Sequence, residues 1–346
     1  MTKVYVGMSG GVDSSLTAAL LVEQGYDVTG VYMKNWTQDL PGMRCPWADD
    51  LADAKRVAVQ LGIDFKVFDF ENEYRQKVVD YMIEEYKHGR TPNPDIMCNQ
   101  EVKFKIFLEA ALEDGADVIA TGHYARVKDG RLLQAVDTNK DQTYFLYRVT
   151  GEALQKTLFP LGEFTKPEVR KMAEARGLYT AGKKDSQGIC FVGQIGIREF
   201  LSQYVEQKAG AIIDKQTGKV LGQHDGAIFY TIGQRHGLDV GGGLPYYVAG
   251  KDMDKNEVYV TTNLNDDALW KPELTVANAH WINDTPTEGE YDIRVRHRAP
   301  LVKTKLSFNE NGEVKLALDS PERAVAPGQS IVIYDGDECI GGGILI

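Results

Sequence analysis

The sequence predicts an α/β protein, a doubly wound parallel sheet followed by two smaller β domains, the last of them a β-barrel. Three observations carry this reading. Over residues 3–122, apolar runs of strand length alternate with stretches of helical periodicity, as a parallel sheet with crossover helices requires. The first strand runs into a glycine-rich turn, Ser9-Gly10-Gly11-Val12-Asp13-Ser14-Ser15, that opens the first helix. From Gly210 onward glycine and β-branched residues dominate, the alternation has period two, and no helical stretch follows.

Taken in order, residues 4–7 form a short β-branched strand and 16–24 carry apolar residues at helical spacing. Strands are expected at 28–33 and 65–70, helices at 49–61, 71–87 and 103–112, and a strand ending in a turn at 117–123. Helices continue at 142–147, 150–155, 167–176 and 197–205, the third of these opened by Thr165-Lys166-Pro167 as cap and first turn. Residues 210–262 read as a small β domain with turns at 214–218 and 252–256. Residues 274–346 read as about six strands closing into a barrel, with turns at 310–312 and 334–337. The expected domains are therefore 1–208, 209–272 and 273–346.

With 346 residues, 43% of them hydrophobic, the chain is long enough for two or three real cores. No apolar run nears the roughly 18 residues that a membrane span needs, and the first residues lead directly into a strand, so a cytoplasmic protein with no membrane partner is expected. Cys45, Cys98, Cys190 and Cys339 lie too scattered for a disulfide scaffold or a metal site. Any special cysteine should then be redox-active or nucleophilic. The net charge of −11 argues against unselective polyanion binding. Within 294–305, however, Arg294, Arg296, His297, Arg298, Lys303 and Lys305 occur with no acidic residue. That run is either the solvated face of strands or a nucleic-acid contact.

The glycine-rich turn is where a phosphate would sit. Backbone N–H groups at a helix N-terminus are unpaired, and Gly10 and Gly11 let an oxyanion approach the main chain. Ser9, Ser14 and Ser15 add hydroxyls, and Asp13 could hold a Mg²⁺ ion bridging phosphates. The Walker A spacing, with its lysine, is absent. Ligands of open α/β sheets gather at the carboxyl ends of strands, so 9–14, Met33 and Gly122-His123 should line one pocket. His123 reads equally well as a structural histidine. Residues 34–46 are a lid or a plain connection. In 90–99 two prolines stiffen a loop that delivers Asp95 and Cys98 to the start of the next helix, where a thiol ionises more easily; a buried small hydrophobe is the other reading of Cys98. Cys190 follows in a polar loop beside Lys183 and Lys184, which would favour its thiolate as well.

The Ser-Gly-Gly-Val-Asp-Ser string resembles the PP-loop of the ATP pyrophosphatase superfamily. Together with Asn93-Pro94-Asp95-Ile96-Met97-Cys98-Asn99, Thr121-Gly122-His123-Tyr124, Lys184-Asp185-Ser186-Gln187-Gly188-Ile189-Cys190-Phe191 and Ala326-Pro327-Gly328-Gln329, it makes the chain resemble the bacterial tRNA-specific 2-thiouridylase family over essentially its whole length. The one departure is Gln187, where threonine is more usual. The resemblance implies an adenine nucleotide alpha-hydrolase-like first domain using ATP with Mg²⁺, held by Gly7, Met8, Ser9, Gly10, Gly11, Val12, Asp13, Ser14, Met33 and Gly122. It implies that AMP is transferred to the 2-oxygen of the wobble uridine, turning a poor leaving group into a good one. Cys190 would take sulfur as a persulfide from a cysteine desulfurase or relay protein and deliver it to C2. Cys98 would attack that persulfide, freeing hydrogen sulfide or leaving a Cys98–Cys190 disulfide bond, and Asp95 would be the acid/base group, a structural Asn-Pro-Asp turn being its other reading. Asn93, Pro94, Asp95 and His123 are then expected around a flipped uracil. Lys140, Asp141, Gln142, Arg296, His297 and Gln329 are expected on the anticodon region of the tRNA. Two other readings remain: another PP-loop adenylating synthetase, whose chemistry needs no pair of loop thiols, and a non-catalytic nucleotide-dependent RNA-binding protein.

Overall fold

A computed structural model describes residues 1–39, 45–184, 196–241 and 243–346. Strands β1 (Lys3–Gly7), β2 (Asp27–Lys34), β3 (Asp64–Asp69), β4 (Val118–Ala120), β5 (Arg126–Lys128), β6 (Arg131–Leu133) and β7 (Thr157–Leu158) belong to the first part of the chain. Of these, five make a parallel sheet in the order β3-β2-β1-β4-β7. The chain first builds outward from β1 through β2 to β3, then returns to β1's other edge with β4. The loops leaving β1 and β4 consequently diverge from a switch point, where such sheets bind ligands.

Period-two alternation sorts the β1 side chains. Val4 and Val6 pack with Ala18 and Leu21 of helix α1 (Val12–Glu23) and Ala54 and Val57 of helix α2 (Trp47–Leu61). Tyr5 faces the opposite layer, against Phe68 and the cluster containing Phe107 and Ile119. Sandwiched helix α1 is buried at most positions from Val12 to Leu21, so it shows little apolar stripe and its start is hard to see in the sequence.

Two helices on the second face carry π-helical turns, the first over the expected 71–87 and the second longer than the pattern suggests. One runs from Glu71–Tyr74 through a π-helical Arg75–Asp80 into Tyr81–Lys87. The other starts at Pro94, nine residues before the expected 103, and passes through a π-helical Cys98–Ile106 to Phe107–Glu113. Asn93 is its N-cap, accepting from the N–H groups of Asp95 at 3.1 Å and Ile96 at 3.4 Å, with Pro94 in the first turn. Cys98 thus lies inside a helix, not on a loop before one.

The hairpin β5–β6 was not legible in the periodicity, although Asp129-Gly130, both with positive φ, is the expected chemistry of a two-residue turn. It pairs with a strand of the C-terminal barrel, Leu132 opposite Cys339 and Leu133 opposite Glu338. The last sheet therefore draws two strands from the first part of the chain, and Arg126–Asp337 and Arg131–Glu338 ion pairs flank the seam.

The central β unit has strands β8 (Gly210–Asp214), β9 (Val220–His224), β10 (Tyr247–Asp252) and β11 (Glu257–Thr261) in the order β10-β11-β8-β9. Next come β12 (Trp270–Trp281), β13 (Gly289–Arg294), β14 (Val302–Phe308), β15 (Val314–Arg323), β16 (Ser330–Asp335) and β17 (Glu338–Leu345). These six run β12-β15-β14-β13-β16-β17, and pairing of β12 with β17 closes the barrel that the sequence predicts. Its interior is filled by Val276, Ile293, Leu306, Leu316, Ile331 and Ile333. Among the described residues no helix is long and apolar enough to cross a membrane.

Candidate functional site

A cavity of about 430 Å³ opens at the switch point. It is lined by Gly7, Ser9, Gly11, Val12, Asp13 and Ser14 of the first loop, Met33 of β2, Gly122 and His123 after β4, and Asp95 of the Asn93-capped helix. Lys140 and Gln142 reach it from the connection beyond β6, and His297 from the barrel. Residues from six separate stretches that the sequence offers for nucleotide, base and RNA backbone therefore share one space.

The first loop has the geometry of an anion cradle. Gly11 is the N-cap of α1 and no side chain caps that end, so first-turn N–H groups face the cavity. Gly10 has φ +72°, and a Cβ there would stand 2.3 Å from the Asp50 carbonyl oxygen; its glycine lets α2 close on the loop. Ser9 and Ser14 hydroxyls lie 3.3 Å apart, and Ser15 donates to the Gly11 carbonyl. The Asp13 carboxylate is already held: Lys166 Nζ donates at 2.7 and 2.8 Å and the Tyr124 hydroxyl at 2.9 Å. Facing it, a Cβ on Gly122 would lie 2.9 Å from both the Asp13 carbonyl carbon and the Ser14 nitrogen. Because those are main-chain atoms, Gly122→Ala is expected to push β4 off α1. It should cost about 1–3 kcal/mol in urea denaturation and weaken binding of a nucleotide titrated by calorimetry at least about tenfold, a factor worth 1.4 kcal/mol.

Cations dominate the rest of the lining. Lys103, Lys140, Lys183, Lys184 and Arg298 face Asp13, Asp50 and Asp95, in a chain whose overall charge is −11. Lys183 bridges Asp50 and Asp53 at 2.7 Å each, tying the segment before residue 185 to α2. Burial raises the Asp95 carboxyl above the usual carboxylate range, with Lys103 opposing. His123, 8% exposed and 2.7 Å from the Thr121 hydroxyl, is driven well below its ordinary value by burial, with Lys103 adding to the effect. His297 is pushed down to about 4 by burial and then by Arg298, and burial also lowers His224 and His280. All four imidazoles therefore take up a proton less readily in the fold than in the unfolded chain. Their contribution to stability is full above about pH 6.5 and is lost as the pH falls toward the folded values. Thermal melting should accordingly drop between pH 7 and 5, and His297→Gln should flatten that slope.

Several expected residues sit elsewhere. Met8 is buried in the core behind Gly30. Asn93 and Pro94 build the helix start, as described above. Gln329 caps its own turn by accepting from Ala326 N, and that turn packs on the 90–91 segment through Thr91 N to Pro327 O at 2.8 Å. Arg296 is exposed and donates to the Arg323 carbonyl. Asp141 does not face solvent: it is 1% exposed and receives Arg294 Nη1 at 2.6 Å, Thr143 Oγ1 at 2.8 Å and Ala135 N at 3.0 Å. Cys98 is 4% exposed within the core, next to Asn99, which lines the cavity. Cys190 lies outside the described residues. Cys45 and Cys339 are buried, the latter beneath the β6–β17 seam, in keeping with their reading as ordinary residues.

Asn99, Lys103, Phe145 and Lys166 belong to the site or its support and were not picked out. The first two had a signal: 95, 99 and 103 are spaced by four, and share a helical face once the helix is started at the Asn-Pro cap. Phe145 and Lys166 had none, since their roles arise only from tertiary contacts.

Fold and cavity together define a class, an α/β protein with an anion cradle at its switch point and two β modules behind it. Residues 2–194 match the family described as tRNA methyl transferase HUP domain, 198–262 its PRC-barrel domain, and 271–345 an aminomethyltransferase beta-barrel domain. The tRNA-specific 2-thiouridylase MnmA of Geobacillus thermodenitrificans is 47% identical over 351 residues, covering 99% of this chain and 94% of its own. The protein of the same name from Bacillus thuringiensis is 47% identical over 348 residues with the same coverage. The chain belongs to the MnmA family of tRNA-specific 2-thiouridylases. Among solved structures, a 4-thiouridine synthetase–RNA complex with bound ATP is 20% identical over 58% of this chain and 50% of that one, with a TM-score of 0.39.

Proposed function

We propose that this chain uses ATP to adenylate the 2-oxygen of a wobble uridine in tRNA and then replaces that oxygen with sulfur carried on Cys190. The observation that supports this best is the shared cavity: the glycine-lined loop, Asp95, His123 and the cations Lys140 and Arg298 all line it. Gly7, Ser9, Gly11, Val12, Ser14, Met33 and Gly122 would surround ATP, with the α1 N–H groups on its phosphates. Mg²⁺ would enter with the phosphates and neutralise their charge, Asp13 being the loop carboxylate able to take it once Lys166 moves to a phosphate oxygen.

The uridine O2 attacks the α-phosphorus, pyrophosphate leaves, and the O2–AMP bond makes C2 electrophilic. The terminal sulfur of the Cys190 persulfide bonds to C2 while AMP departs with the oxygen. Cys98 attacks the inner sulfur, so a Cys98–Cys190 disulfide forms and the transferred sulfur stays on the base. Asp95, its carboxyl shifted toward neutrality, serves as the acid/base group, and His123 as a neutral partner of the base. Lys140, Gln142, His297 and Arg298 meet the anticodon loop, and Asp141 acts behind them by fixing their segment. Residues 1–208 form the catalytic unit, 209–272 a spacer, and 273–346 the tRNA clamp.

Given ATP, Mg²⁺ and tRNA without any sulfur donor, the protein is expected to release pyrophosphate and leave AMP on the tRNA. Binding of both without pyrophosphate release would make it a nucleotide-dependent RNA-binding protein instead.

A further inference from the structure

Asn99 carries an unmet hydrogen-bonding demand inside the cavity. It is 2% exposed, lies one residue beyond Cys98 and one helical turn from Asp95, and lines the same space as His123. Its Nδ2 donates to the Phe145 carbonyl at 3.0 Å. A carbonyl oxygen cannot accept from Oδ1, so this bond fixes which end of the amide is which. The Oδ1 atom is buried and has no hydrogen-bond partner among the described residues. Buried amide oxygens are rarely left so, and one on a side chain that lines a cavity calls for a donor brought by the ligand.

The surroundings restrict that donor. Phe145, whose carbonyl orients Asn99, packs its ring against that of His297, the centroids 4.4 Å apart and the planes tilted by 44°. This pair forms an aromatic wall of the kind on which an unstacked base rests. A planar heterocycle on that wall would present a ring edge to Oδ1. Uracil has an N–H at position 3, beside the reacting C2, whereas cytosine has a bare nitrogen there whose lone pair would face the amide oxygen.

We infer that Asn99 Oδ1 accepts the N3–H of the target uracil and is the residue that selects uridine over cytidine, with Phe145 holding it in register. The inference rests on the proposed action on a wobble uridine. Asn99 is a positioning residue: it holds the 2-oxygen for adenylation and takes no part in bond making.

The test compares tRNAs bearing uridine or 3-deazauridine at the wobble position, the latter keeping the 2-oxygen and the ring shape but carrying C–H at position 3. AMP transfer is measured under single-turnover conditions. The wild-type protein is expected to favour uridine about ten- to hundredfold. Asn99→Ala should slow uridine by that factor, leave 3-deazauridine unchanged and bring the ratio near one, with ATP affinity unaltered. Equal use of the two tRNAs by the wild-type protein overturns the inference and needs no variant to fold. So does an unchanged ratio in Asn99→Ala, or a loss of ATP affinity in its place, which would give Oδ1 to the adenine amino group. Failure of the wild-type protein to adenylate uridine at all would instead refute the underlying function.

Discussion

Cys190→Ser should yield no 2-thiouridine at all, while AMP transfer to tRNA continues at the wild-type rate. A serine hydroxyl cannot form the S–S bond of a persulfide, so the loss is complete and not graded. Cys98→Ser should likewise block thiolation after adenylation, because no thiolate is left to take the inner sulfur. The two variants would differ in stability. Cys98 is 4% exposed and belongs to the core cluster that holds Ile96, Val102 and Phe104, so a serine there takes a more strongly hydrated group out of water, at a cost of about 1–3 kcal/mol. Cys98→Ala, a volume loss without a polar group, is the control that separates chemistry from folding. Nucleoside mass spectrometry beside a pyrophosphate assay reads both halves; full thiolation by either serine variant would remove sulfur carriage from the account and favour an adenylating synthetase of another kind.

Arg294→Met should destabilise the protein by about 3–5 kcal/mol, the usual consequence of leaving one member of a buried ion pair without the other. Asp141 is all but inaccessible, and its partner Arg294 is 7% exposed. The carboxylate also orders Thr143, whose hydroxyl is 3.1 Å from the Tyr334 hydroxyl of β16. One buried charge thereby joins the barrel to the stretch carrying Lys140, Gln142 and Phe145 into the cavity. Paired replacement, Arg294→Met with Asp141→Leu, should recover most of the stability, since no unpaired charge remains. Urea denaturation of the single and double variants decides this. A loss below about 1 kcal/mol in the single variant, in the range of an exposed pair, would show that water reaches Asp141.

What could be read from the sequence, and what could not, follows from how local each signal is. The glycine turn after β1, the strand ends at Met33 and Gly122, and the six-strand barrel all rest on neighbours in sequence, and all were found where expected. The start at Pro94 was missed because the π-helical turn at Cys98–Ile106 blurs the 3.6-residue stripe, although the Asn-Pro cap was there to be seen. Three-residue β5 and β6 are too short to show alternation, and their partner β17 lies some two hundred residues away. The basic run 294–305 looked uniform but divides in three dimensions: Arg294 is interred with Asp141, Arg296 lies on the surface, and His297 and Arg298 turn into the cavity. Asp141 beside Lys140 misled for the same reason, since a charged residue with a distant buried partner looks in sequence like any surface charge.

The account depends on one cavity performing both adenylation and sulfur delivery on the same base. Its most direct test is to incubate wild-type protein with ATP, Mg²⁺, tRNA and a persulfide donor, and to measure 2-thiouridine, AMP and pyrophosphate together. The account predicts 2-thiouridine at the wobble position, with one AMP and one pyrophosphate formed for each. Formation of 2-thiouridine without ATP cleavage, or AMP and pyrophosphate with sulfur never reaching the base, would contradict it.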